Sequence, residues 1–413
     1  MIRPLGNWSA AALWSAQAEP GFGDPVDVLL PGRPAPAPSR VTLAEVTAGI
    51  PARLADGLPE VTRKLLTAAE QDRRSGSLQT LPVRSGHALV VIPAYDEQDC
   101  IATCLDCALK GLDPARTEVL LSTNGITDGT LDEIRAWAAR HPESVDFGDI
   151  SRGSGDLGPP DGSRLRVLLL DSPQPGKLGA LVRPRQHLER QSSIPEFVLT
   201  LDADTRIRPG QLERLADIAH QGDYAAVSGK YQMTVPEGER LSTFNAAINS
   251  VHGIYEWTSG GSTLSRTREH FAVYGALLEV APGVATEDSA FGALLRLAGK
   301  RTTVARDVPF LTRGESDPAR AQRQMDRWML GLAHTQALLG DSARDLGLEM
   351  PPHKVIGHHI LQTLGTVHNP GDAIRVAAQL GRQTLDIPAF LRSRARARKI
   401  PISTQGMVWK PDR

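Results

Sequence analysis

The stretch ALVVIPAY at residues 88–95 constrains the fold more than any other part of the chain. It is a continuous apolar run with no polar alternation. A strand of that kind is covered on both faces, as in a parallel sheet flanked by helices. The residues that follow keep the rhythm. Helical spacing over 98–110 leads to a second apolar strand, TEVLLSTNG at 117–125, and a second helix, TLDEIRAWAAR at 130–140. A third strand, RLRVLLLDS, falls at 164–172, followed by a helix at about 177–190. The fourth and fifth strands are EFVLTLDADT at 196–205 and AAVSGKYQM at 225–233. This alternation predicts an α/β fold built on a mostly parallel sheet. Ligands in such sheets sit at the carboxyl ends of the strands. The residues just after each strand are therefore the candidates for chemistry.

Three segments are expected. Residues 1–85 read as an N-terminal arm, Pro-rich at 31–40 (PGRPAPAPSR), with one or two short helices within 41–74. Residues 86–340 form the α/β domain. Residues 341–413 are a helical C-terminal extension broken by Pro351, Pro352, Pro370 and Pro388. No apolar run approaches the roughly 18 residues of a membrane span, and the N-terminus lacks the sustained apolar core of a signal peptide. The three cysteines fit a reducing compartment. A soluble, cytoplasmic protein without an integral membrane segment is the expectation. The chain carries 46 Lys and Arg against 47 Asp and Glu, a net charge of −1, which argues against a nucleic-acid partner.

Several strand ends carry reactive side chains. The first ends in Pro93-Ala94-Tyr95-Asp96-Glu97 and the second in Ser122-Thr123-Asn124-Gly125. The third leads to Gly176-Lys177, and the fourth ends in Asp202-Ala203-Asp204. In a strand, residues two apart point to one face, and two carboxylates there suit a hard divalent cation such as Mg²⁺ or Mn²⁺. On spacing alone the pair is equally a solvated turn. Its place behind FVLTL favours the cation, because burying two carboxylates uncompensated is costly. Glu287 and Asp288 precede a helix, SAFGALLRLAGK. Acidic residues are ordinary there, yet beside a cation one of them is a candidate general base. Gln324, Arg327 and Trp328 share one face of an amphipathic helix at 317–339. An Arg beside an aromatic grips a phosphate or stacks on a sugar. A Trp packed in the core under a snorkelling Arg is the alternative.

Taken in order, VVIPAYDE, STNGITDGT, GKLGAL, LTLDADT, ATEDSAFGALLRLAGK and QMDRW resemble a family-2 glycosyltransferase. The resemblance runs over roughly residues 86–332. It implies a GT-A-type mixed sheet flanked by helices, and transfer of a sugar from a nucleoside-diphosphate donor to an acceptor, with inversion. Carried onto this sequence, it implies that Pro93, Tyr95, Glu97, Asn124, Lys177 and Asp202 bind the donor nucleotide. Asp204, with Asp202, would hold Mg²⁺ or Mn²⁺. Asp288, beside Glu287, would be the catalytic base. Gln324, Arg327 and Trp328 would border the acceptor and the diphosphate. Asn124 stands where the family usually has Asp, Asp96 where Asn is common, and Met325 where Gln or Arg is usual. The QxxRW motif also occurs in membrane polysaccharide synthases, but this chain lacks their membrane helices, so a small-molecule or glycan acceptor is expected.

Alternatives are an inactive nucleotide-binding module of the same fold and a nucleotidyltransferase, although no Gly-rich phosphate loop is present for the latter. Cys100, Cys104 and Cys107 have a C-x3-C-x2-C spacing that resembles the iron–sulfur signature of radical S-adenosylmethionine enzymes. On a helix the outer two lie about 10 Å apart along the axis, and the spacing is that of a buried stripe. Buried apolar cysteines are the expectation. The basic run Arg392–Lys399 reads as a solvated face or tail, or as a contact for an anionic acceptor, membrane surface or partner. His353, His358 and His359 are metal ligands only if the tail folds over the cleft. His252, Tyr255 and Trp257 are candidate acceptor contacts, and Gly260-Gly261 a close backbone approach or a mobile loop.

Overall fold

A computed structural model of the chain describes residues 58–151, 162–235, 261–345 and 391–400, with Glu239, Leu241, Ser242, Asn245, Asn249 and Ile402. The arm before residue 58, most of the C-terminal extension, His353, His358, His359, His252, Tyr255, Trp257 and Gly260 lie outside the described residues.

Helix α1 (Glu60–Ser75) comes first. It packs on the later helix α7 (Thr267–Val280), where Arg73 Nε donates to Glu269 Oε2 at 2.8 Å. The alternating core then follows as β1 (Val83–Ala94), α2 (Ile101–Gly111), β2 (Thr117–Thr123), α3 (Thr130–Arg140), β3 (Val145–Asp149) and β4 (Leu165–Leu170). Next come α4 (Lys177–Val182), α5 (Pro184–Leu188), β5 (Ile194–Leu201), β6 (Thr205–Arg206) and α6 (Gln211–Gln221). The remainder is β7 (Ala226–Thr234), β8 (Ser262–Arg266), α7, α8 (Glu287–Leu297), β9 (Thr302–Arg313), α9 (Pro318–Leu339), α10 (Ser342–Asp345) and a final helix, α11, over 391–397.

The strands form one sheet in the order β3-β4-β2-β1-β5-β8-β7-β9-β6. From β3 to β5 every pairing is parallel. Strand β8 runs antiparallel between β5 and β7, and β7 pairs in parallel with β9. The mixed α/β sheet expected from the sequence is thus present, with helices on both faces. Alternation within β1 assigns the layers: Leu89 and Val91 face the core shared with α1, α4, α7 and α8, while Val90 and Ile92 face α2, α3 and α6. All four are 0–1% exposed, as a strand covered on both faces requires.

Two local expectations are corrected. The helix expected at about 177–190 is two short helices, because Pro184 has no N–H to continue the ladder and starts the second one. Strand β5 stops at Leu201, so Asp202 and Asp204 lie in a turn, closed by the Thr205 N–H donating to Asp202 O at 2.9 Å, and not on a strand face.

Candidate active site

The site lies at the carboxyl ends of β1, β2 and β5, where a parallel sheet leaves loop residues free to converge. Pro93 is buried in β1 opposite Ser122, and Tyr95 and Glu97 are half-buried just beyond. Between them Asp96 takes a left-handed conformation, φ 52°, which Asp tolerates better than most residues. Its carboxylate accepts from the backbone N–H of Thr127 at 2.6 Å and of Asp128 at 3.1 Å, and from Thr127 Oγ1 at 2.7 Å. The loop after β1 is thereby tied to the loop after β2.

Asn124, 3% exposed, joins three elements. Its backbone N–H donates to Ala94 O at 3.2 Å. With the side-chain amide nitrogen facing Ala94 O at 2.7 Å, its oxygen accepts from the backbone N–H of Lys177 at 3.2 Å. An amide satisfies both contacts, whereas a carboxylate has no hydrogen to give Ala94. Asn in place of Asp therefore has a structural account here.

Lys177 opens α4 and carries the centre of the cluster. Its Nζ lies 2.7 Å from Asp202 Oδ1 and 2.9 Å from Glu287 Oε1. Burial alone would lower the ammonium pKa; Asp202, Glu287 and Asp288 reverse this and hold it well above the usual lysine range. Asp204 lies deeper. Its carboxyl is pushed up to about 6, first by burial and then by the Asp202 charge. Donated hydrogen bonds from Thr312 Oγ1 at 3.0 Å and Thr205 Oγ1 at 3.3 Å oppose the shift. Tyr231 OH donates to Thr312 Oγ1 at 3.2 Å, so a chain of hydroxyls from β7 and β9 ends on Asp204 Oδ1. Glu97 is pushed up to about 7 by burial and then by Asp204. It accepts from Cys100 Sγ at 3.0 Å.

Asp202 and Glu287 thus contact the ammonium, Asp204 and Asp288 interact with its charge, and Glu97 adds a fifth carboxyl on the Asp204 side. Burial is the larger cause of the raised values at Glu97 and Asp204, and the neighbouring carboxylates add to it. Hard oxygen donors with surplus negative charge fit a divalent cation such as Mg²⁺ or Mn²⁺. Among the described residues no group of three or more His, Cys, Asp or Glu side chains is already arranged to hold a metal ion. Gly261 permits the crowding at Asp202. A Cβ at Gly261 would lie 1.9 Å from Asp202 Cγ, and Gly261 O accepts the Asp202 N–H at 3.0 Å. The expected close backbone approach at this glycine is therefore real.

Glu287 and Asp288 do not precede helix α8 but form its first turn, behind Thr286. Glu287 is buried against Lys177, while Asp288 is more open and accepts from the Ser289 N–H at 2.8 Å. Helix α9 packs directly on this turn: a Cβ at Gly331 would lie 2.0 Å from Thr286 Oγ1. Arg327 and Trp328 lie one turn earlier on the Gly331 side of α9, and Gln324 one turn before them. All three are half-buried, and Gln324 Oε1 accepts from Asn245 Nδ2 at 2.6 Å. His334, 1% exposed, accepts the Ala285 N–H at Nδ1 (3.2 Å) and donates from Nε2 to Ile400 O (3.2 Å). Burial lowers its pKa, consistent with this neutral tautomer.

The cysteines are apolar packing elements with weak donor roles. Cys104 is 1% exposed and lies 3.8 Å from Asp202 O, while Cys100 meets Glu97. Burial raises all three thiols, so none is poised as a thiolate.

Tyr231, Thr312, Gly331 and His334 escaped sequence reasoning. Each supports a candidate from an element distant in the chain.

Residues 89–242 match the family model for glycosyl transferase family 2, and residues 197–368 match that for glycosyl transferase family group 2. Each match spans less than half of the chain, and together they support a family-2 glycosyltransferase. It is 27% identical over 176 residues to undecaprenyl-phosphate 4-deoxy-4-formamido-L-arabinose transferase of Edwardsiella ictaluri, covering 42% of this chain and 44% of that protein. The chain thus spans less than half the length of that curated relative. Among solved structures, it is similar to the mannosyltransferase PcManGT of Pyrobaculum calidifontis in complex with GDP-Man and Mn²⁺. The TM-score is 0.46 and the identity 17%, over 87% of this chain and 99% of that one. Glucosyl-3-phosphoglycerate synthase of Mycobacterium tuberculosis, in complex with Mn²⁺, UDP-Glc and phosphoglyceric acid, has a TM-score of 0.36 and 16% identity, over 64% of this chain and 82% of that one.

Proposed function

We propose that the chain transfers a sugar, with inversion, from a nucleoside-diphosphate donor to an acceptor that is a small molecule or glycan. The observation that carries this reading is the Lys177 bridge between Asp202 and Glu287, with Asp204 and Asp288 beside it at the sheet's carboxyl edge, in a chain that matches glycosyltransferase family models. Pro93, Tyr95, Glu97 and Asn124 lie at the ends of the two strands that flank the nucleoside site. Lys177 is within reach of the diphosphate. Asp202 and Asp204 would hold Mg²⁺ or Mn²⁺, which would supply positive charge against the departing diphosphate when bound.

The remaining steps belong to the protein. Departure of the nucleoside diphosphate develops negative charge, and the Lys177 ammonium and Arg327 guanidinium meet it. The acceptor loses a proton as it attacks, and the Asp288 carboxylate takes that proton. Glu287 keeps Lys177 in place, which leaves Asp288 as the more open carboxylate of the pair. Gln324 and Trp328 orient the acceptor beside it. A single base suffices for inversion, because the leaving group departs from the opposite face.

A thermal-shift panel tests this reading. UDP, GDP, dTDP, ADP and CDP are each added with Mn²⁺, Mg²⁺ or chelator. A ligand that binds only the folded state raises its melting temperature by mass action. One nucleotide is expected to raise it in a cation-dependent way. No shift with any of the five would overturn the donor site.

A further inference from the structure

We propose that the exposed face of α11, continued by Arg398, Lys399 and Ile400, is a docking surface for an anionic lipid bilayer. Residues 391–400, LRSRARARKI, hold five basic side chains and no acidic one, in a chain whose overall charge is −1. The helix is two-sided. Ser393 and Ala397 are buried, whereas Leu391, Arg392, Ala395, Arg396, Arg398 and Lys399 are exposed. On a helical wheel these exposed positions fall on one side. Arg392, Ala395, Arg396 and Lys399 line one shallow concavity, where three cationic side chains meet a single small apolar one.

Apolar exposure supplies a second, independent observation. Only four large apolar side chains are exposed among the described residues, and two of them, Leu391 at 46% and Ile400 at 48%, stand at the two ends of this basic segment. Cationic side chains with apolar residues at the margins suit a bilayer interface, where the charges meet anionic headgroups and the apolar groups enter the acyl boundary.

The surface is held rigidly to the domain. Gln322 Nε2 donates to Ser393 Oγ at 2.9 Å, and Arg396 pairs with Asp326 at 3.2 Å. Ala397 packs with Met325 and Met329, and His334 holds Ile400 O. All of these partners lie on α9, the helix that carries Gln324, Arg327 and Trp328. A bilayer against α11 therefore lies beside the acceptor helix. Docking itself is independent of the proposed transfer reaction. The corollary that the acceptor is presented at the membrane surface rests on it.

Co-sedimentation of the full chain with vesicles tests the proposal. The vesicles are phosphatidylcholine alone or phosphatidylcholine with one quarter phosphatidylglycerol, in 0.1 M and 1 M salt. Binding to the anionic vesicles only, lost at 1 M salt where screening shortens to about 3 Å, is expected. The triple variant Arg392→Gln, Arg398→Gln, Lys399→Gln, which spares the Arg396–Asp326 pair, is expected to bind on the order of a hundredfold more weakly. Leu391→Ser with Ile400→Ser is expected to weaken binding without removing its salt dependence. The nucleotide-induced melting shift should be the same in all variants, which separates failure of docking from failure of the donor site. No binding to anionic vesicles, equal binding to neutral ones, or undiminished binding by the triple variant would each overturn the proposal. So would tight binding of mixed-sequence RNA without vesicle binding.

Discussion

Lys177 Nζ bridges Asp202, at 2.7 Å, and Glu287, at 2.9 Å, so one ammonium joins the end of β5 to the first turn of α8. Removing it leaves two carboxylates facing each other without their shared cation. Lys177→Met should therefore destabilise the protein. Breaking a fully buried pair costs about 3–5 kcal/mol, but Lys177 retains some exposure, and about 1–2 kcal/mol is expected. Mn²⁺ should restore more of the melting temperature in the variant than it adds to the wild type, because the acidic cluster has lost its internal competitor. A variant as stable as the wild type in chelator would show that the bridge contributes nothing.

Asp288 and Glu287 are adjacent but differently placed, and their variants should separate. Asp288→Asn keeps the helix turn and the Lys177 bridge, so donor binding should be near normal while transfer falls by about 10²-fold or more. Glu287→Gln weakens the bridge and should reduce stability as well as turnover. Turnover and donor affinity measured on both variants check this. A normal transfer rate in Asp288→Asn would exclude it as the base.

The raised carboxyls predict a pH dependence of stability. Glu97 titrates at about 7 and Asp204 at about 6 in the fold, against ordinary values near 4 in the unfolded chain. Between about pH 4 and 7 the folded state holds protons that the unfolded state has released. Stability from these two groups is therefore present at low pH and lost as pH rises through their folded values. Glu97→Gln should melt a few degrees above wild type at pH 8 in chelator, with the gain shrinking toward pH 5. Thermal melts of both proteins across this range test it, and a pH-independent difference would contradict it.

Cys104→Ala deletes a thiol packed between α2 and the sheet. The expected effect is a loss of about 1–2 kcal/mol through the cavity left behind, with nucleotide binding retained. Denaturant unfolding gives the first quantity and the melting shift the second. Stoichiometric iron in anaerobically purified protein would overturn the packing account.

The parts of this fold legible in the sequence were those with continuous apolar runs. Strands β1, β2, β4 and β5 announce themselves because both faces are covered by side chains of the strand's own type. Strand β8, Ser-Thr-Leu-Ser-Arg, does not. Its hydroxyls are buried by pairing between β5 and β7, and Ser228 and Thr263 hydrogen-bond to each other at 2.7 Å. Strand β9 runs through Pro309, but its pairing with β7 shifts register between Gly229 and Lys230, where residues 306–308 of β9 are skipped, which hides its period. At the site, the carboxyls and Lys177 were visible as strand-end residues. The hydroxyl chain from Tyr231 through Thr312 to Asp204, the Gly331 contact with Thr286 and the His334 bridge were not. Each depends on two elements distant in sequence, and no local pattern marks such a meeting.

Asp202 and Asp204 are proposed to hold a divalent cation beside the donor diphosphate. Titration of Mn²⁺ followed by electron paramagnetic resonance, with the nucleotide that shifts the melt, tests it most directly in wild type and Asp204→Ala. Nucleotide-dependent Mn²⁺ binding is expected in the wild type, and its loss in the variant. Equal Mn²⁺ affinity in the two proteins would contradict it.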